Sequence, residues 1–370
     1  MGLFFGKERE VGIISIISII VFSNGLLLYF QNSIEEDLKR SIFEQQKQLQ
    51  IQSTKELAQH VHSDIGLVMS MLYGLANSGE VQQGKLGDDK TRKLLQETYD
   101  AYNLTIDRLF ILEKDDIMVA SVTQSVEFFL GEDFSFRSWI KDTKITLAPV
   151  FSGEFERAGI FRVFITYPII NRETGQYMGM IVTSIPTVPF FAHYGNVEHI
   201  ETQFLVAYDR NGTMLANGAS NTFVGKNFFG NYTQEFINHN QALNNLTRML
   251  LAGYSGSAIY DYGKGERLTT AYPVLVNGKP QFFIQIVTPT SEIYSKINNV
   301  LSVQRVRMFS IFAAASTIAI IVLLVLLKKW NVVLRREVKR RTQELEESYQ
   351  EIKGYLDKVL KEVKRQQKPS

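Results

Sequence analysis

The chain has no cysteine. That excludes disulfides, zinc–thiolate sites and thiol nucleophiles, so stability has to come from packing. Histidine is nearly as scarce, at five residues. His60 and His62 stand two apart in a helical stretch, whereas a metal-binding pair on one helix face stands four apart. Both are read as surface or packing residues. His193 and His199 lie six apart in HYGNVEH with Glu198 between them, and this spacing matches no metal-ligand pattern. Neither a nucleophile elbow nor a P-loop pattern occurs. The sequence therefore predicts no catalytic residue, no metal and no cofactor. The net charge of +2 over 370 residues is ordinary for a globular protein, and no nucleic-acid partner is expected.

Charge is missing from two long runs. Val11–Phe30 and Met308–Leu327 each hold twenty residues without a charged side chain. At ~1.5 Å per residue each is long enough to cross a ~30 Å hydrocarbon core as a helix. A signal peptide would have a basic start, a short apolar core and small residues at a cleavage site. In the first run Lys7 and Arg9 are offset by Glu8 and Glu10, and it leads into LLLYFQNSIEED without such a site. It reads as an uncleaved anchor. The second run ends in Lys328-Lys329-Trp330, a basic and aromatic interfacial anchor.

Beyond Leu327 there are thirteen Lys/Arg against seven Asp/Glu. The positive-inside rule puts this tail in the cytoplasm. With two spans the N-terminus lies there too, and the roughly 280 residues between are extracellular or periplasmic. That region is long enough to bury its own core without disulfides. It carries four sequons, at Asn103, Asn211, Asn231 and Asn245, which are weak glycosylation signals.

Residues 31–78 read as one long stalk helix: Leu38, Ile42, Leu49, Leu57, Val61, Ile65, Val68 and Leu72 recur at mostly helical spacing, and no proline interrupts them. Two sheet-forming blocks follow. The first has strands predicted near 106–113, 117–123, 146–152, 161–170 and 178–184. The second has them near 203–208, 214–216, 256–262, 267–276 and 281–288. NRETG at 171–175, DRNG at 209–212 and VNGKP at 276–280 supply turns. Each block ends in a hairpin with a strongly apolar last strand, and each holds an irregular aromatic stretch, 128–139 and 223–232. The fold class is α+β, with two modules of about a hundred residues.

These residues resemble a double Cache domain, the extracellular sensor of many chemoreceptors and sensor histidine kinases. DFSFRSW at 133–139 is similar to the segment of that family that closes over the ligand. APVFSG and FRVFITYPIINRETGQYMGMIVTSI resemble its paired strands and hairpin, and LVAYDRNGTMLANGASNTFVGKN resembles the start of its second module. The resemblance covers roughly residues 35–300. It implies two PAS-like modules, a membrane-distal one at 79–190 and a membrane-proximal one at 191–305. These lie between a cytoplasmic N-terminus at 1–10, spans at 11–30 and 308–327, and a cytoplasmic helix at 328–370.

In the amino-acid-binding branch of the family, the arginine and tryptophan of this segment hold the ligand carboxylate, and those positions match Arg137 and Trp139. A guanidinium fork suits a carboxylate because it gives two parallel charge-assisted bonds. The family's acid for the ligand ammonium falls on Ser184, its tyrosine in the paired strands on Phe151, and Ile140 stands where a further aromatic is usual. The resemblance therefore implies a small carboxylate or other anion rather than an α-amino acid, with Tyr167 and Thr183 as neutral donors. The alternative is structural: Arg137 pairs with Asp133, Asp142 or Glu154 and locks the loop, and Trp139 is plain core. Arg162 and Glu156 read as solvated strand-edge charges.

In the tail, Val338, Thr342, Leu345, Tyr349, Ile352, Leu356, Val359 and Val363 alternate steps of four and three. This is heptad spacing and predicts a coiled coil, hence a homodimer; a basic amphipathic helix lying on the membrane is the competing reading. The tail resembles the helix that joins a receptor's span to a kinase, yet no transmitter segment follows. The expectation is a membrane sensor acting through a separate cytoplasmic signalling protein, or the sensor part of a histidine kinase. A glycosylated, dimeric surface or scaffold protein without a small-molecule ligand is the alternative.

Overall fold

A computed structural model describes residues 2–123, 130–153, 155–157, 159–195 and 202–366. Glu154, Glu198, His199 and the first part of the 128–139 stretch, named above, lie outside these residues. The chain divides into two units, Met1–Asn298 and Asn299–Ser370.

In the first unit a helix, α1 (Gly2–Ala76), runs unbroken through the first apolar run and the stalk. The predicted boundary at residue 31 is not a break: no proline stands there, and the helix runs on through Asn32 and Ser33. Two short helices follow, α2 (Gly79–Gln82) and α3 (Asp89–Tyr102). Each begins where a side chain satisfies an orphan amide: Ser78 accepts from Val81 and Asp88 from Thr91.

The first sheet is built from β1 (Arg108–Glu113), β2 (Met118–Thr123), β3 (Val150–Phe151), β4 (Phe155–Arg157), β5 (Ile160–Ile170) and β6 (Tyr177–Pro186). Its order is β2-β1-β6-β5-β3, with β4 also pairing with β5, and every pairing is antiparallel. The helix α4 (Ser138–Thr146) enters between β2 and β3, and α5 (Thr187–Ala192) leaves directly from β6. The second sheet comprises β7 (Phe204–Tyr208), β8 (Met214–Asn217), β9 (Gly256–Tyr260), β10 (Arg267–Val276) and β11 (Lys279–Pro289). Its order, β8-β7-β11-β10-β9, repeats the path of the first, so the two blocks form a structural repeat. Helices α6 (Asn231–Phe236) and α7 (Gln241–Leu251) lie between β8 and β9.

The predicted strand at 146–152 is corrected to the two residues of β3. Thr146 ends α4, and Leu147 adopts a left-handed conformation (φ 46°) whose amide closes onto Thr143. Pro149 follows, so pairing resumes only at Val150.

Both sheets use one face against the stalk. Leu57, Val61, Ile65, Val68 and Leu72 of α1 pack with Ile165, Ile181 and Ile185 of the first sheet and with Val274, Ile284 and Ile286 of the second in one continuous core. Polar contacts fix the register of α1. Gln50, 1% exposed, donates to the carbonyls of Leu268 and Ile286, and the Thr54 and Thr270 hydroxyls bond at 2.6 Å. Each sheet's other face has its own core: Trp139, Phe134 and Ile140 cover the first, and Phe228, Leu243, Leu246 and Leu250 cover the second.

The second unit is the continuation of α8 (Thr290–Gln366). This helix is long and apolar enough to cross a membrane, and its most apolar window is unburied in the isolated chain. The heptad residues Leu345, Ile352, Leu356 and Val359 are all more than half exposed.

Candidate binding face of the first sheet

Strand alternation decides which side chains meet. On β6, Met180 and Val182 face the Trp139 side, while Ile181 and Ile185 face the stalk. Ser184 follows the first set and Thr183 the second. On β5, Phe164 faces the Trp139 side and Val163 and Ile165 face the stalk, so Tyr167 lies with the latter.

The segment Asp133–Ser138 leads into α4 along β2. Phe134 donates its amide to the Asp116 carbonyl, and Ile117 and Asp133 form an antiparallel bridge. The Asp133 carboxylate accepts from the Ser135 amide at 2.7 Å, and this bond holds its pKa below the usual value. Arg137 is the N-cap of α4 in extended geometry, and its guanidinium lies 4.5 Å from the centre of the exposed Phe136 ring. Trp139 is 8% exposed and stacks on Phe164, with centroids 5.1 Å apart and planes at 8°. Phe164 is the direct cross-strand neighbour of Ser184. The helix is latched to the sheet by Thr143, whose hydroxyl meets that of Thr166 at 2.5 Å. Ile140 is fully buried in the same cluster.

The structure thus brings Trp139 and Ser184 onto one face, with Arg137 at the edge of the helix that covers it. Phe151, Tyr167 and Thr183 lie on the other face. Phe151 meets Phe282 of the second sheet edge-on at 5.7 Å, and Tyr167 meets Tyr73 of the stalk edge-on at 6.1 Å. Burial raises the pKa of the Tyr167 hydroxyl. Thr183 donates to the Arg108 carbonyl at 2.7 Å.

Around Ser184 lies a charged network. Ser184 is fully buried and its hydroxyl donates to Asp107 Oδ1 at 2.5 Å. The other oxygen of Asp107 accepts from Arg162 Nε at 2.6 Å. Arg162 is 2% exposed and also donates to the Ile160 carbonyl, so it is a buried ion-pair residue and not a solvated edge charge. Glu156 is exposed, as expected, and accepts from the Gly159 amide. Arg108, also 2% exposed, stands directly across from Ser184 on β1. The sequence carried a signal for this cluster: Arg162 is two and four residues from Phe164 and Thr166, the spacing that puts them on one strand face.

The Trp139 face combines three kinds of group. It offers a guanidinium at the helix edge, an indole, and a serine hydroxyl backed by a carboxylate–guanidinium pair. Among the described residues no group of acids and histidines suits a metal ion. His60 is exposed, and His62 bonds the Leu275 carbonyl.

Residues 70–186, which contain this face, match the family model described as HK/GC/chemotaxis protein-like, sensor domain. Among solved structures the chain is similar to an extracellular ligand binding receptor from Desulfohalobium retbaense DSM5692, at 14% identity and TM-score 0.50 over 64% of this chain and 39% of that one. This chain therefore spans well under half of that receptor's length. It is similar to the periplasmic sensory domain of the Campylobacter jejuni chemoreceptor Tlp1, at 13% identity and TM-score 0.52 over 68% of this chain and 98% of that one. It is also similar to the ligand binding domain of the Pseudomonas aeruginosa PAO1 amino acid chemoreceptor PctB in complex with L-Arg, at 12% identity and TM-score 0.50 over 68% and 98%. At these identities the likeness is one of fold. A comparison by sequence with curated proteins finds no match.

Proposed function

We propose that this chain, which carries a Cache-type sensor domain of the kind found in chemoreceptors and histidine kinases, is a two-span membrane receptor. Its middle region lies outside the membrane and takes up a small anion on the Trp139 face of the first sheet. Arg137 holds the anionic group, and Trp139 packs against the body of the ligand. The observation that carries the reading is the state of Ser184. The hydroxyl is bonded to Asp107, whose charge is engaged by buried Arg162, and Arg108 stands beside them. This end of the face is therefore poor at compensating a ligand ammonium, and a buried charge without compensation is costly. A carboxylate lacking an α-amino group fits better. Binding biases the relative position of α1 and α8 in a dimer, and α8 passes that bias to a cytoplasmic signalling partner. The ligand shifts this equilibrium only by its differential affinity for the two states.

A second reading is an α-amino acid. It is favoured by the Asp107 carboxylate, which stands 2.5 Å from the Ser184 hydroxyl and is partly exposed. Calorimetric titration of the full chain in nanodiscs with acetate, pyruvate, succinate and glutamine separates the two. Saturable binding of a simple carboxylate, without binding of glutamine, is the expected result; the reverse pattern selects the amino-acid reading. Arg137→Ala is expected to weaken binding by ~1.5–3 kcal/mol, about ten- to hundredfold, the loss of one charged hydrogen-bonding group. Its melting temperature should stay near the parent's, since Arg137 is partly exposed at the start of α4. Normal binding by this variant, or a large drop in melting temperature, makes Arg137 a structural residue.

A further inference from the structure

The strand that carries Ser184 runs without a loop into α5, and α5 lies against β7 and β8 of the second sheet. Between them is a cavity of about 220 Å³. Val188 and Phe191 of α5 form one wall, and Phe204 and Ala216 of β7 and β8 form the other, with Gln203 and Asn217 as polar lining. No ionisable side chain lines it among the described residues. It is smaller than the ~300–1,000 Å³ of a typical drug-sized pocket, but similarly lined by apolar groups and a few polar ones.

Gln203 gives the cavity its chemistry. The residue is 8% exposed, and its Nε2 donates to the Thr288 hydroxyl at 2.9 Å. Its Oε1 is buried and accepts no hydrogen bond among the described residues. Buried polar atoms are nearly always satisfied, and an unsatisfied one in a lined cavity calls for a donor. The free end of the amide, Oε1, is an acceptor only, so it suits a hydroxyl or N–H donor. A charged occupant is disfavoured, because nothing in the lining among the described residues compensates its desolvation.

We propose that this cavity between α5 and the β7–β8 edge is an accessory binding site for a small neutral molecule with an apolar body and one hydroxyl or amide N–H, hydrogen-bonded to Gln203. The site is separate from the Trp139 face and does not depend on what that face binds. Its occupant touches the helix that continues β6.

The test uses the full chain in nanodiscs, with saturation-transfer NMR and benzyl alcohol, cyclohexanol and benzamide as neutral probes and benzoate as the charged control. At least one neutral probe is expected to bind saturably and benzoate not. Val188→Phe and Ala216→Leu each fill the cavity from one wall and should reduce that binding at least tenfold. Val188 is only half-buried, so its variant should fold even if Ala216→Leu does not. Arg137→Ala should leave probe binding unchanged. The proposal is overturned if no neutral probe saturates, if binding survives Val188→Phe, if benzoate binds as well as the neutral probes, or if Arg137→Ala removes binding and so moves the probe to the other site.

Discussion

Arg137 and Arg162 show how little a residue type says without its surroundings. Arg137 sits among aromatics in the sequence yet caps a helix at the surface, its guanidinium over the ring of Phe136. Arg162 looks like an edge charge and is buried against Asp107, with 3% of its side chain exposed. Breaking a buried pair from one side costs about 3–5 kcal/mol, because the other charge is left uncompensated. Asp107 keeps 26% of its side chain exposed, so the cost should fall near the lower end, about 3 kcal/mol. Arg162→Met should therefore lower the denaturation midpoint clearly, and far more than Arg137→Ala does. A midpoint unchanged by Arg162→Met would mean that the pair contributes nothing net. The difference between the two arginines was only half legible. Period-two spacing put Arg162 on the face of Phe164, but nothing in the sequence linked it to Asp107, fifty-five residues earlier. Ser184 was found through resemblance alone, and its partner Asp107 appeared only when β1 and β6 paired.

At the scale of elements, what was legible is what local physics decides. The hairpins β5–β6 and β10–β11 carry long apolar strands with strong turn residues between them, and both form where expected. The strand expected at 146–152 shrinks because a left-handed residue and a proline override the apolar pattern. Which face of each strand meets the stalk was not legible, since both faces are apolar. Tyr167, Thr183 and Phe151 therefore turned out to lie on the stalk side. In α8 the heptad residues are exposed in the isolated chain, and single-chain folding leaves their burial undone. We expect Leu345, Ile352, Leu356 and Val359 to form the seam of a parallel dimer. A peptide of residues 331–366 should gain helix as its concentration rises, followed by circular dichroism. Helicity that is independent of concentration, or that appears only with anionic vesicles, selects a surface-lying helix instead. Arg340 bonds Glu337 and lies near Glu344, pairs at one-turn spacing that stabilise the helix only by tenths of a kcal/mol. They support the helix without deciding between the two states.

For the whole molecule the decisive quantity is which regions share a side of the membrane. The apolar window of α8 is free of charge over a length that fits the hydrocarbon core, and the basic excess stands beyond it. Lys328, Lys329, Arg335, Arg336, Lys339, Arg340 and Arg341 all lie within the ~15–20 residues where the positive-inside bias operates. Within the same distance before the window stand only Lys296, Arg305 and Arg307, so the asymmetry favours a cytoplasmic tail. If Val11–Phe30 also spans, the two sheets lie together on the opposite side, which a shared core with the stalk requires of them in any case. Because the chain has no cysteine, single cysteines can be introduced and read without background. Arg210 lies in the exposed turn between β7 and β8, and Gln350 is an exposed position on the far part of α8. In intact cells an impermeant maleimide should label Arg210→Cys and leave Gln350→Cys untouched until the membrane is opened. Labelling of residue 350 from outside with residue 210 protected would reverse the orientation. Labelling of both from outside would remove the second span, and with it the transmission of a ligand signal through α8.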